Sequence, residues 1–97
     1  MTNLEKYISL FPLQGELTQE IIEKAHPYNT RECQGALTLK AALGENISLL
    51  ANGDCWGSNQ GVQSIKEGGE VRLTTMENLC FPHAKTPQKV TFIIDKS

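Results

Sequence analysis

The chain has 97 residues, of which 39% are hydrophobic and 21% are charged. This composition is typical of a folded globular protein and excludes a disordered one, and the length predicts a single domain, 1–97, with one small core. Nine basic and eleven acidic residues give a net charge of -2, which disfavours binding to nucleic acid or anionic lipid through an overall positive field.

The N-terminal segment and the cysteines predict where the protein is found. The chain begins with polar residues, has Glu5 where a signal peptide carries a basic region, and contains no apolar run approaching roughly 18 residues. We therefore expect neither a signal peptide nor a membrane span. Cys33, Cys55 and Cys80 are odd in number and far apart, which indicates reduced thiols rather than a disulfide framework. These features together predict a cytoplasmic protein.

Two short helices are predicted in the first part of the chain. Thr2 and Glu5 have the spacing of a capping box, and Pro12 ends the apolar helical face that follows them. Thr18 is a candidate N-cap for a second helix over residues 18–26, and a proline again follows it. Each helix is therefore predicted from a start signal and a stop signal that lie close together in sequence.

A third helix is predicted over residues 30–43. Asn29 and Glu32 have capping-box spacing at its start, and Gly44 follows as a left-handed C-terminal cap.

Beyond Gly44 the apolar pattern changes to the alternation of β-strands. Four segments are short, rich in β-branched residues and separated by turn-forming residues: 47–51, 61–65, 70–75 and 89–94. Helices followed by strands predict an α+β fold. We expect about three N-terminal helices in a helical half, 1–44, packed on a small antiparallel sheet of three to five strands in a strand half, 45–97.

The segment Gly53-Asp54-Cys55-Trp56 resembles the nucleophile segment of papain-like and calpain-like cysteine proteases, in which G-x-C-W introduces the catalytic cysteine. The resemblance implies that Cys55 lies at a helix N-terminus, with His83 as the base and Asn78 or Asp95 as the orienting group. The residues at 57–61 favour a loop, however, and the chain is short for a two-lobed cleft. We therefore do not expect an enzyme.

A Cys and His metal site is a second interpretation of the same region. Cys80 and His83 are separated by two residues, a spacing at which one turn points both side chains at a zinc ion. Cys55, Cys33 or His26 would complete a tetrahedral shell. A structural zinc site normally shows two such pairs and lone cysteines are commonly buried, so we expect no cofactor and keep this site as an alternative.

DNA binding is a further alternative. Two helices joined by a short turn and followed by strands are compatible with a winged helix-turn-helix. Arg31, Gln34 and Thr38 would then lie on one face of the recognition helix. The helix has little other positive charge, and the net charge is negative, which favours a solvated polar face.

Protein binding is the function that we favour from the sequence. Trp56 lies in a segment rich in Gly, Ser, Asn and Gln, and an aromatic anchor within adaptable polar residues is typical of a protein interface. Asp54, Asn59 and Gln60 are the expected neighbouring contacts. No phosphate-binding loop, hydrolase or metalloprotease motif is present. We therefore predict a small interaction module of the regulatory, accessory or inhibitor and immunity type found among bacterial and phage-encoded proteins, a comparison by size and by the absence of catalytic motifs.

Overall fold

The computed structural model describes residues 2–26, 29, 31–51, 55–57, 60–77, 81 and 83–95. Within these ranges the fold is α+β, as predicted. The elements in chain order are α1 (Asn3–Ile8), β1 (Leu13–Leu17), α2 (Gln19–Lys24), α3 (Gln34–Leu43), a 3₁₀-helix (Gly44–Leu49), β2 (Cys55–Gly57), β3 (Gln60–Ile65), β4 (Gly69–Thr75) and β5 (Gln88–Ile94).

The strands form one antiparallel sheet in the order β1-β5-β4-β3-β2. Four of them have five to seven residues, and β2 adds three residues at one edge. The prediction that the helices precede all the strands is wrong, because β1 lies between α1 and α2 and pairs with β5 near the other end of the chain. The first half of the chain therefore supplies an edge strand as well as the helices.

The first two helices begin where their capping residues predict. The Thr2 hydroxyl accepts a hydrogen bond from the Glu5 N–H (3.1 Å), and the Thr18 hydroxyl accepts one from the Ile21 N–H (3.2 Å). Each hydroxyl satisfies one of the N–H groups that a helix start leaves without a partner. Both helices end after six residues, earlier than predicted.

The third helix starts at Gln34, four residues later than predicted, with Cys33 at its N-cap. The Asn29 side chain instead accepts a hydrogen bond from the Arg31 N–H (2.9 Å) and donates one to the Glu32 carboxylate (3.2 Å), which orders the turn before the helix. Gly44 has a positive φ of 55°, but its ψ of -124° lies outside the left-handed helical region, so the predicted left-handed cap is wrong. The chain then continues into the 3₁₀-helix.

The strand predicted over residues 47–51 is wrong, because most of this segment belongs to the 3₁₀-helix. Only its end meets the sheet: the Ala51 N–H donates to the Ser64 carbonyl (2.8 Å), and the Lys66 N–H donates to the Leu49 carbonyl (2.9 Å). The other three predicted strands are present as β3, β4 and β5, each longer by one residue at its start.

The core lies between the helices and one face of the sheet. The alternation predicted for β4 and β5 is confirmed, since Val71, Leu73, Val90 and Phe92 are all buried. The remaining buried hydrophobic residues come from α1, β1, α3 and β3, from the N-cap of α3, from the residue after the 3₁₀-helix and from the segment before β5: Tyr7, Leu17, Cys33, Ala36, Leu39, Leu43, Leu50, Ile65, Phe81 and Ala84. None of the helices within the described ranges is long and apolar enough to cross a membrane.

Candidate functional site

Two of the four predicted partner-binding residues, Trp56 and Gln60, lie in the strands at the β2 edge of the sheet. Trp56 is in β2, and its backbone pairs with Gly61. Gln60 is exposed, and its amide donates a hydrogen bond to the Asp95 carboxylate (3.2 Å). Asp54 and Asn59 lie outside the described residues, as does the side chain of Trp56. The proposed contact surface of these residues therefore stays a prediction.

The three residues considered for DNA recognition do not form one exposed face. Arg31 is exposed and precedes α3, whereas Gln34 and Thr38 are buried on the side of α3 that faces the sheet. The Gln34 amide donates to the Ala84 carbonyl (2.8 Å) and accepts from the Ala84 N–H (3.0 Å). A side chain that makes both hydrogen bonds inside the protein is not available to read a base.

The cysteine and histidine residues give no assembled site in the part of the chain that can be described. His26 and His83 are exposed and Cys33 is buried, whereas Cys80 and the side chain of Cys55 lie outside the described residues. The described side chains contain no group of three or more His, Cys, Asp or Glu residues that could hold a metal ion. Cys55 starts a β-strand, whereas the protease resemblance implied a helix N-terminus. The zinc interpretation stays a prediction.

The structure reveals a groove beside strand β1 that we did not predict from the sequence. The groove is open to solvent and has a volume of about 660 Å³. Gln14, Gly15 and Glu16 of β1 form one side of it. The β1 strand is the last in the sheet, so no further strand lies on its outer side within the described ranges. Backbone N–H and C=O groups on the free side of an edge strand can pair with another strand.

Two helices form the other wall of the groove. Ala41 and Ala42 of α3 and Ile21 of α2 supply small and aliphatic side chains. The helix α3 approaches β1 closely at Gly15: a Cβ atom there would lie 3.1 Å from the Ala42 Cβ. The helix wall is therefore apolar, and at Gly15 it packs directly against the strand.

The rim of the groove is charged. Glu20 accepts a hydrogen bond from the Lys24 ammonium (2.9 Å), which lowers the pKa of Glu20 below its usual value and raises that of Lys24. Glu16 is exposed and stands opposite Lys89 of β5 in the sheet register. Charges at the rim and aliphatic groups within the groove are the usual arrangement at a protein-binding surface.

The sequence contained one signal for this site. Leu13, Gly15 and Leu17 alternate with Gln14 and Glu16, and this alternation gives β1 its pattern of half-buried and exposed positions. Gln, Gly and Glu are poor strand formers, so the segment has little strand propensity of its own. No protein-family model, curated protein or solved structure was found to match this chain.

Proposed function

We propose that this chain is a small protein-interaction module, without catalytic activity of its own, that binds an extended segment of a partner protein along β1. The observation that carries the proposal is the edge position of β1, which has no strand on its outer side among the described residues and lies within an open groove walled by Ile21, Ala41 and Ala42. An added strand would satisfy the outward backbone groups of β1, and alternate side chains of that strand would contact the groove wall.

The chemistry of the groove favours protein binding over other functions. The exposed positions of β1 are a neutral amide, Gln14, and a carboxylate, Glu16, which do not attract a phosphate backbone. The described residues that line the groove include no serine, cysteine or histidine. We propose a regulatory, accessory or inhibitory role in the cytoplasm, exerted by binding alone.

The test has two steps. Short peptides that bind the chain are first selected from a library, and the binding site of each selected peptide is then mapped by the changes in the amide chemical shifts of the chain. The expected result is a set of shifts concentrated at residues 13–17 and on the groove side of α2 and α3. Ala41→Arg fills the groove from an exposed position, so it should abolish binding. Ser48→Arg introduces the same side chain on the exposed 3₁₀-helix outside the groove and should leave binding unchanged.

Binders that shift another surface, or that tolerate Ala41→Arg, would contradict the proposal. The Trp56 segment remains a second predicted contact, and the same assay examines it. If Trp56→Ala weakens a selected binder whose shifts lie near β2, the contact surface is at that edge instead of at β1.

A further inference from the structure

We propose that β1 of a second copy of this chain is the segment that binds the groove, with the two strands antiparallel across a two-fold axis at Gly15. This inference rests on the proposed function, because it uses the same strand edge. It names the partner and the register, and it predicts one continuous sheet of ten strands across the two copies.

The sequence of β1 has the same kinds of side chain when it is read from either end. Leu13-Gln14-Gly15-Glu16-Leu17 has leucine at both ends, a polar side chain at the second and fourth positions, and glycine at the centre. A two-fold axis at Gly15 pairs each residue with the one equally far on the other side. Leucine then faces leucine, the Gln14 amide faces the Glu16 carboxylate, and glycine faces glycine.

On the exposed face of the sheet, the side chains of the two copies are complementary in this register. Gln14 and Glu16 are both exposed and point away from the helices. The amide N–H of Gln14 in one copy can donate to the Glu16 carboxylate of the other, and symmetry repeats this pair. In the existing sheet, Glu16 is opposite Lys89 and Gln14 is opposite Thr91. On this face of the sheet, the side chains therefore follow one another across the interface as Lys89 and Glu16 of one copy, then Gln14 and Thr91 of the other. No two like charges are adjacent in this order.

The helix side of the interface is lined by small side chains near the axis, where α3 packs directly against Gly15. Gly15 has no side chain, and the neighbouring wall residues, Ala41 and Ala42, are the smallest available to a helix apart from glycine. Leu13 is half-buried in the single chain, whereas Leu17, which faces it in this register, is completely buried within its own copy.

Other registers are less favourable. An axis at Glu16 places that carboxylate against its own symmetry mate, and like charges directly opposite each other destabilise a strand pair. An axis at Gln14 places Glu16 opposite Pro12, which has no N–H to donate. The axis at Gly15 also pairs all five residues of β1, the largest number that the strand allows.

The test is sedimentation velocity of the purified full chain from micromolar to millimolar concentrations. The expected result is a reversible monomer–dimer equilibrium. Gln14→Glu places two carboxylates opposite each other twice per dimer, and the dissociation constant should rise roughly ten-fold. Exchanging the two residues, with Gln14→Glu and Glu16→Gln together, restores one amide and one carboxylate in each pair and should restore the affinity.

A matched control adds the same charge elsewhere. Ser48→Glu introduces a carboxylate at an exposed position outside β1, and the dissociation constant should stay unchanged. All three variants change exposed positions, and the thermal unfolding midpoint verifies that each remains folded.

Three outcomes would overturn the inference: a chain that stays monomeric at millimolar concentration, a dimer that Gln14→Glu does not weaken, and an exchange variant that does not regain affinity. A monomeric chain that binds selected segments along residues 13–17 would refute the second copy but support the proposed function. A monomeric chain that binds no segment at this edge would refute both.

Discussion

The side chain of Gln34 and the backbone of Ala84 form a pair of buried hydrogen bonds. The Gln34 amide donates to the Ala84 carbonyl over 2.8 Å, and the Ala84 N–H donates to the Gln34 side-chain oxygen over 3.0 Å. Gln34 opens α3, whereas Ala84 lies 50 residues later in the segment that precedes β5. The two hydrogen bonds therefore resemble those between paired residues of neighbouring β-strands. They attach the segment before β5 to the start of α3.

We expect Gln34→Ala to lower the free energy of unfolding by about 2–4 kcal/mol. The substitution leaves both backbone groups of Ala84 buried without partners, and each such group costs about 1–3 kcal/mol. Chemical denaturation measures the change. The matched control, Gln19→Ala, removes the same side chain from an exposed position on α2 and should change the stability by less than about 0.5 kcal/mol. A small effect of Gln34→Ala would show that other groups satisfy Ala84.

We expect Gly15→Ala to destabilise the fold by about 1–2 kcal/mol. The added Cβ would lie 3.1 Å from both the Ala42 Cβ and a ring carbon of Phe92, and 3.3 Å from the Thr38 methyl carbon, so α3 would have to move. A double-mutant cycle with Ala42→Gly measures the contact, because removing the Ala42 Cβ should recover part of the loss. Independent, additive effects of the two substitutions would contradict close packing at this point.

We expect Thr38→Val to raise the free energy of unfolding by about 1 kcal/mol. The Thr38 hydroxyl is completely buried and has no hydrogen-bond partner among the described residues, and valine keeps the shape without the cost of burying that group. Thr38→Ser is the control, since it keeps the hydroxyl and loses the methyl group that contacts β1, and it should destabilise the fold. Destabilisation by valine would instead indicate that the hydroxyl is hydrogen-bonded, for example to a buried water.

The Glu77 carboxyl group should make the free energy of unfolding depend on pH. Burial raises the pKa of Glu77, but hydrogen bonds from Thr91 outweigh this effect and hold the pKa below its usual value of 4.5. The Thr91 N–H donates to the carboxylate over 2.7 Å, just beyond the last paired residues of β4 and β5. Because the folded pKa is lower than the unfolded one, the contribution is present above pH 4.5 and is lost as pH falls through the folded pKa.

We expect Glu77→Gln to make the free energy of unfolding less dependent on pH in the acidic range where Glu77 titrates. At neutral pH it should cost less than about 1 kcal/mol, because the carboxyl is partly exposed and solvent screens its charge. Denaturation at a series of acidic pH values measures the profile. Glu45→Gln removes an exposed carboxylate from the 3₁₀-helix and is the matched control. An unchanged acid profile in Glu77→Gln would contradict the assigned pKa.

Local interactions made part of the fold predictable from the sequence. Thr2 and Thr18 cap helices because each hydroxyl reaches an N–H only three residues away. The alternation of Val90 and Phe92 predicts a strand with one apolar face, because successive side chains point to opposite sides of a strand. These features depend on residues that are close in sequence, so the α+β class and the antiparallel sheet followed from them.

Contacts between distant segments decided the rest. Residues 13–17 have little strand propensity and form β1 because they pair with β5, some 75 residues later. Gln34 and Thr38 face the core because α3 packs on β1 and Gln34 bonds to Ala84, neither of which a helical pattern reveals. The position of β1 at one end of the described sheet is likewise a property of strand order. The sequence by itself determined the helix starts and the alternating strands, whereas only the tertiary structure decided which strand is last in the sheet and what lies beside it, since that depends on pairing across the whole chain.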